Sequence, residues 1–285
     1  MTKSVLISGA STGIGKALSL NLDRHGYQVF AGVRNPRDAE ALTKQATSWL
    51  TPVILDVTIP DTIYAACAEV SSKTGGELFC LVNNAGISVN GPLEFMPLQD
   101  FRQQMEVNLV GQLALTQACM PLLRQGKGRI IFVSSVNGRL AAPFLGPYAA
   151  SKAALISISD TLRLELAPWG IPVSVLIVGS VQTPIWEKAA HTAGEVRRRM
   201  PPEATQLYFQ AAKRSGESYR RVGRGGIKPE EVAMTTRRLM EKQRPKAYIL
   251  VGRDALLYEL MVKLLPIRLR DWLVRKRMGL LKKDT

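Results

Sequence analysis

The chain has 285 residues, 46% of them hydrophobic, which is enough for one large α/β domain with a sizeable core. Met1-Thr2-Lys3 runs straight into an apolar stretch, so the start does not read as a secretory leader, and no apolar run approaches the ~18 residues of a spanning helix. The formal net charge is +15, and it is concentrated: residues 191–228 hold nine Lys/Arg against three Glu, residues 263–285 hold eight against two Asp, and the remainder is close to neutral.

In chain order, continuous apolar runs at 3–8, 27–33, 52–55, 78–82, 129–134, 172–178 and 247–251 alternate with helix-length stretches near 14–24, 61–73, 98–124, 148–168 and 229–242. Apolar runs that do not alternate are expected where both faces of a sheet are covered. The rhythm predicts a Rossmann-type, doubly wound α/β fold with seven parallel strands.

The first run leads into Gly9-Ala10-Ser11-Thr12-Gly13-Ile14-Gly15. Glycines there let the turn close and let the backbone approach a pyrophosphate, while the helix that follows offers its free N–H groups to the anion. The second run ends at Gly32-Val33-Arg34. An acidic residue that would hold a ribose 2′-hydroxyl is missing, and the planar fork of Arg34 suits a 2′-phosphate. NADP(H) is therefore expected over NAD(H).

Ser135 follows the fifth run, and Tyr148 and Lys152 stand four residues apart in the next helix. Four residues rise about 6 Å and put both side chains on one face. An ammonium beside a phenol favours the phenolate, which brings a group that titrates near ~10 closer to neutrality. A hydroxyl such as Ser135 can hold a carbonyl oxygen. These parts serve to move a proton on and off an alcohol oxygen. Each residue also has an ordinary alternative, as strand-end serine, helix-start tyrosine or solvated lysine.

With these motifs in hand, the chain resembles the short-chain dehydrogenase/reductase family over about residues 3–185, and more loosely over 229–252. Gly9, Gly13, Ile14 and Gly15, with Ser11 and Thr12 between them, look like its cofactor loop. Asp56-Val57 matches the position beside the adenine. Asn83-Asn84-Ala85-Gly86 looks like its structural and adenine-side motif, and Val107-Asn108-Leu109 like its helix-borne asparagine. Ser135, Tyr148 and Lys152 look like its catalytic core.

The resemblance implies that Tyr148 is the acid/base, that Lys152 lowers its pKa and binds the nicotinamide ribose, and that Ser135 bonds the substrate oxygen. It implies that Asn108 kinks its helix and holds a water linking Lys152 to solvent, and that Gly179, Val181 and Thr183 lie along the nicotinamide. One departure is Val178-Gly179 where the family usually has Pro-Gly, which predicts a looser turn. Within the family, the chain looks most like members acting on retinoids, steroids and other lipophilic alcohols or ketones. The resemblance further implies a homo-oligomer, a dimer or tetramer, paired through the helices near 98–124 and 148–168.

Residues 1–252 are read as the catalytic domain, with a substrate lid at about 183–228. Ile185, Trp186, Leu207, Tyr208 and Phe209 are expected to give the lid an apolar inner surface, and Trp186 is placed against substrate. Arg197-Arg198-Arg199 and Lys213-Arg214 are expected to face outward. Residues 253–285 form a basic amphipathic tail, expected to lie on an anionic bilayer, to cap the pocket, to pack on a subunit or simply to be solvated. No nucleic-acid motif is visible. His25 and His191 fit no metal spacing, so no metal is expected. Cys67, Cys80 and Cys119, an odd set without paired spacing, read as reduced thiols of a cytoplasmic protein, peripheral on a membrane surface if the tail docks there. A competing reading is a dinucleotide-binding sensor or scaffold that uses the tail for membrane or partner and catalyses little; the intact Ser135–Tyr148–Lys152 set argues against it.

Overall fold

Strands that are apolar on both faces need helices on both faces. In the computed structural model, which describes residues 2–281, the strands are β1 Ser4–Ile7, β2 Gln28–Val33, β3 Leu50–Ile54, β4 Cys80–Asn83, β5 Arg129–Ser135, β6 Val173–Val178 and β7 Tyr248–Val251. They form one sheet in the order β3-β2-β1-β4-β5-β6-β7, parallel at every pairing. This is the seven-stranded Rossmann-type sheet that the sequence predicts. Chain direction across the sheet reverses between β1 and β4, and a crevice opens there at the carboxyl ends of the strands.

The helices are α1 Gly13–Arg24, α2 Pro36–Thr43, α3 Pro60–Thr74, α4 Leu98–Met105, α5 Gly111–Gln125 and α6 Gly146–Glu165, followed by α7 Ile185–Arg199, α8 Pro202–Arg224, α9 Pro229–Met240, α10 Arg253–Leu264 and α11 Ile267–Arg277. Successive strand residues point to opposite sides. Leu6, Phe30, Leu81, Phe132 and Val175 pack under α3, α5 and α6. Val5, Val29, Val82, Ile131 and Leu176 pack under α1 and α9. Each buried side chain of this kind contributes roughly 1.5–3 kcal/mol, so the two layers outweigh local propensity.

Three features differ from the sequence reading. α2 lay in an unassigned stretch, although Asn35 caps it by accepting the Asp38 N–H at 2.9 Å and Pro36 occupies its first turn. That is a recognisable helix start. The helix expected at 98–124 is interrupted by a π-helical turn, Glu106–Val110, with Asn108 fully buried inside it. The 183–228 stretch, which had no elements assigned to it, holds two helices, α7 and α8. Its ends are clasped to the sheet edge, where the Ile227 N–H donates to the Ser180 carbonyl and the Gln182 N–H to the Ile227 carbonyl. Arg199 ties α7 to α4 through Asp100 at 2.6 Å, and the Tyr208 hydroxyl donates to Glu94.

The tail is two helices folded against the lid. The Ser218 hydroxyl donates to the Arg277 carbonyl, and the Arg214 Nε–H donates to the Gly279 carbonyl. Residues 282–285, which the tail assignment included, lie outside the described residues. No helix among the described residues is long and apolar enough to cross a membrane. Cys67, Cys80 and Cys119 are free and buried. Folding brings Cys67 and Cys119 to 3.3 Å between sulfurs, across α3 and α5, a contact their spacing did not show.

Candidate active site

The loop after β1 turns through Gly9 and Gly13, both with positive φ, +69° and +57°, where a side chain would be strained. Space is also short: a Cβ on Gly15 would lie 2.2 Å from the Gly9 carbonyl oxygen. The loop after β4 is laced to it. Asn84 donates to the Ser8 and Gly9 carbonyls at 2.9 and 3.0 Å, while the Ser8 hydroxyl accepts from the N–H groups of Asn84 and Ala85. No side chain caps α1, so its first-turn N–H groups remain available to an anion. A bare helix start behind a glycine cradle fits a dinucleotide pyrophosphate.

Gly9, Ser11, Thr12, Gly13, Ile14, Arg34, Asp56, Val57, Ala85 and Gly86 all line one continuous cavity, which extends to Ser135, Tyr148, Lys152, Gly179, Val181, Thr183 and Trp186. Arg34 is exposed at its edge. The carboxylate of Asp56 is fixed by the backbone N–H and hydroxyl of Thr58, at 2.9 and 2.7 Å. Two expected contact residues stand outside the cavity lining. Gly15 lies beneath the loop as a packing glycine. Asn83 is fully buried, and its amide donates to the Thr116 hydroxyl at 2.8 Å. In this pair Asn84 is the residue that holds the loop, a role the sequence reading did not give it.

β5 ends at Ser135, and α6 delivers Tyr148 and Lys152 beside it. The Lys152 ammonium is buried and donates to the Val133 carbonyl at 2.8 Å. It lies 5.8 Å from the centre of the Tyr148 ring. Burial lowers the Lys152 pKa to about 8. Burial also raises the Tyr148 phenol above its usual value, and the adjacent Ser135 hydroxyl partly offsets the rise. Burial is the largest influence on the phenol here. The ammonium is turned onto a backbone carbonyl, and loss of solvation dominates both groups.

Asn108 clamps the strand-end loop, accepting from the Ile87 N–H at 2.9 Å and donating to the Ile87 carbonyl and the Ser151 hydroxyl. It sits across Gly86 from Lys152: a Cβ on Gly86 would lie 3.3 Å from the Asn108 amide oxygen and 3.7 Å from the ammonium.

The turn after β6 is held from an unexpected direction. Asp254, in the first turn of α10, accepts the Ser180 N–H at 2.7 Å. It lies so close that a Cβ on Gly179 would come within 2.0 Å of the carboxylate. The predicted loosening at Val178-Gly179 is thus countered by a side chain 74 residues away. Thr183 packs against Gly13, 3.1 Å from where a Cβ would stand. The Trp186 indole N–H donates to the Val181 carbonyl at 2.8 Å.

The cavity is about 1690 Å³, above the roughly 300–1,000 Å³ of a one-ligand pocket, so it has room for a dinucleotide and a sizeable second molecule. Ile185, Trp186, Tyr208 and Phe209 line it as expected, and tail residues Leu257, Tyr258, Met261, Leu273 and Met278 complete the wall. Leu207 does not line it and is 57% exposed, because the inward stripe of α8 runs through Ala204, Tyr208, Ala212 and Tyr219. Arg197 and Lys213 are exposed, as expected, and stand at the rim of the cavity. Arg199 is bound to Asp100.

The short chain dehydrogenase family model matches residues 3–194. The chain is a short-chain dehydrogenase/reductase. Among its relatives, mouse "Retinol dehydrogenase 5" is 35% identical, covering 94% of this chain and 86% of the relative. "NADPH-dependent 3-dehydrocapnine reductase" of Ornithobacterium rhinotracheale is 31% identical, covering 93% and 94%. A solved short chain dehydrogenase/reductase from Burkholderia phymatum, in complex with NAD, superposes with a TM-score of 0.77 at 25% identity, covering 92% of each chain. This short-chain dehydrogenase/reductase is accordingly an oxidoreductase of CH–OH groups and their carbonyl counterparts, using a nicotinamide dinucleotide.

Two outcomes follow from the geometry of this dehydrogenase. Asp254→Ala removes a charged hydrogen bond worth about 1.5–3 kcal/mol; it is expected to lower stability by that order and raise the cofactor KM, with Asp254→Asn retaining most of both, measured by urea unfolding and steady-state kinetics. The folded pKa of Lys152, about 8, lies below the unfolded value. The unfolded chain therefore binds the extra proton between the two, and the burial penalty is full below about pH 8 and fades as pH rises towards the unfolded value. Lys152→Met is then expected to stabilise the fold by up to about 3 kcal/mol at pH 7, with the gain shrinking by pH 10; a gain that grows with pH in denaturant titrations would contradict this.

Proposed function

We propose that this enzyme interconverts a lipophilic alcohol and its ketone or aldehyde, a retinoid-, steroid- or lipid-like molecule, with NADP(H) as cofactor. One observation carries the reading: the glycine loop, the Ser135–Tyr148–Lys152 group and an apolar lid and tail all face a single cavity. The names of the mammalian and bacterial relatives, a retinol dehydrogenase and an NADPH-dependent reductase, support a lipophilic substrate and NADPH. Residues 1–252 serve as the catalytic unit and the tail as an accessory wall.

The N–H groups at the start of α1 and the Gly9–Gly13 turn hold the pyrophosphate, and Arg34 pairs with a 2′-phosphate. When bound, the nicotinamide gives or takes the hydride. Ser135 donates a hydrogen bond to the substrate oxygen and favours the charge that develops there. Tyr148 gives its proton to that oxygen in reduction and takes one back in oxidation. A phenol held protonated by burial is in the right form to donate at neutral pH. Lys152 binds the nicotinamide ribose and, once drawn toward the phenol, supports the phenolate. Asn108, in the π-helical turn across Gly86 from Lys152, holds a water that links the ammonium to solvent for proton exchange. A sensor that only binds a dinucleotide has no use for a buried ammonium at this position.

For the tail, we read the outward face of α10 and α11 as a peripheral membrane contact on the cytoplasmic side. Leu256, Leu260, Leu264, Ile267 and Trp272 are exposed there, beside the exposed cations Arg268 and Arg275, a combination suited to an anionic interface. Pairing of copies through α4–α5 and α6 completes the proposed assembly.

Tyr148→Phe removes the proton but little volume. Turnover is expected to fall at least ~10²-fold while NADPH binding, followed by fluorescence titration, persists; retained turnover would refute the role. Arg34→Ala is expected to raise the KM for NADPH roughly tenfold or more, with little change for NADH; equal effects on both cofactors would place Arg34 outside the site.

A further inference from the structure

The cavity wall is electrically lopsided. The carboxylates that line it are Asp56 and Glu106, which belong to the loop after β3 and to the π-helical turn. The lid and tail contribute Lys188, Arg197, Lys213, Arg220, Lys276 and Arg277 and no carboxylate. None of these six cations has an ion pair among the described residues, and all are exposed at the rim. Where they have a partner it is an aromatic face: Arg197 over Phe209, Lys276 over Trp272 and Arg277 over Tyr258, at 5.4, 4.8 and 5.5 Å.

Elsewhere, lysines and arginines do find acids. Arg199, two residues from Arg197, is bonded to Asp100, and Arg237 to Glu241. The rim cations also differ from those of the tail's outer face, Arg268 and Arg275, which do not line the cavity. Beneath the rim the wall is apolar or aromatic: Trp186, Tyr219, Leu257, Tyr258, Met261 and Met278. The Tyr219 hydroxyl is bound to the Pro143 carbonyl at 2.7 Å.

An apolar slot under a rim of like charges repels cations and draws in anions. A neutral retinoid or steroid would leave these charges uncompensated at the mouth. A lipid with an anionic end would place its chain on the apolar wall, its carbonyl or alcohol at Ser135 and Tyr148, and its charge among the cations. We propose that the substrate is an anionic amphiphile, a long-chain oxo or hydroxy lipid bearing a carboxylate, phosphate or sulfonate, whose charged group is read by Lys213, Arg220, Lys276 and Arg277. This assignment rests on the oxidoreductase reading above and narrows its substrate class.

The test uses the full chain saturated with NADPH and three probes of equal chain length, dodecanoate, dodecyl phosphate and dodecanol, with binding followed by calorimetry. The two anions are expected to bind roughly tenfold tighter than the alcohol, with the gap closing at high salt. In Arg220→Gln/Arg277→Gln, and separately in Lys213→Gln/Lys276→Gln, anion affinity is expected to drop toward that of dodecanol. Arg277→Lys is expected to keep most of it. A thermal melt and NADPH binding equal to the parent protein's show that the variants are folded.

Equal affinity for anion and alcohol overturns the proposal, as does a preference that survives both double variants. A charge effect seen only with vesicles of anionic lipid, and not with the monomeric probes, also overturns it and assigns the rim to a bilayer. NADPH-dependent reduction of dodecanal and of its ω-carboxylate is read separately. Turnover without an anion preference sinks this inference alone; an anion preference without turnover sinks the oxidoreductase reading for lipids and leaves the head-group site standing.

Discussion

The burial of one ammonium organises the centre of this protein. Lys152 sits in the α6–β5 contact, where an unpaired charge would be costly, and the compensation visible in the fold is the Val133 carbonyl at 2.8 Å. That carbonyl belongs to the strand that ends in Ser135, so the bond fixes the height of α6 against β5 and thereby the position of Tyr148 beside the serine. The Ser134 hydroxyl reinforces the same register by donating to the Lys152 carbonyl at 3.0 Å. Asn108 closes the far side through Ser151, and Ser151 in turn donates to the Tyr148 carbonyl. Each polar group in this chain of contacts fixes the next, and the result is a phenol, a hydroxyl and an ammonium facing one cavity.

The two pKa displacements share one cause with opposite consequences. Burial penalises whichever form carries charge. It pushes the lysine toward neutrality and keeps the tyrosine protonated. A sequence shows that the two are four residues apart, and spacing suggests mutual stabilisation of ammonium and phenolate. It does not show that a strand carbonyl competes for the ammonium. The competitor belongs to Val133, 19 residues away along the chain.

The sheet was legible because its signal is redundant: seven apolar runs, separated by helix-length segments, leave few other ways to bury both faces. Loop chemistry was legible where a residue type is demanded by geometry, as at Gly9 and Gly13. What escaped depended on partners distant in sequence. Asn83 and Asn84 look alike as letters, yet one turns inward to Thr116 and the other crosses to Gly9. Which asparagine does which is decided by strand pleat and by α5, neither of which is local. The inward stripe of α8 was misread for a related reason. Apolar residues were assumed to face the pocket, but helical phase puts Leu207 outside. α2, by contrast, carried a readable signal at Asn35-Pro36 and Asp38 that its short length hid.

The tail joins two functions that composition kept apart. α10 contributes Leu257, Tyr258 and Met261 to the cavity wall, and the carboxylate at its first turn holds the Ser180 N–H. A helix of this length is stiff on the scale of a hydrogen bond, so its two ends cannot move independently. The wall that meets the far part of a substrate and the turn beside Gly179 are therefore parts of one rigid body. Val178 in place of proline removes a constraint that would be internal to the turn. Asp254 supplies a constraint from outside, through an element that also walls the cavity. A turn pinned by its own ring would be indifferent to the state of the tail; this one is held by β7 through the Val251 carbonyl and by Ile227, and Asp254 adds a tie to α10, which is seated through its own fully buried Ala255.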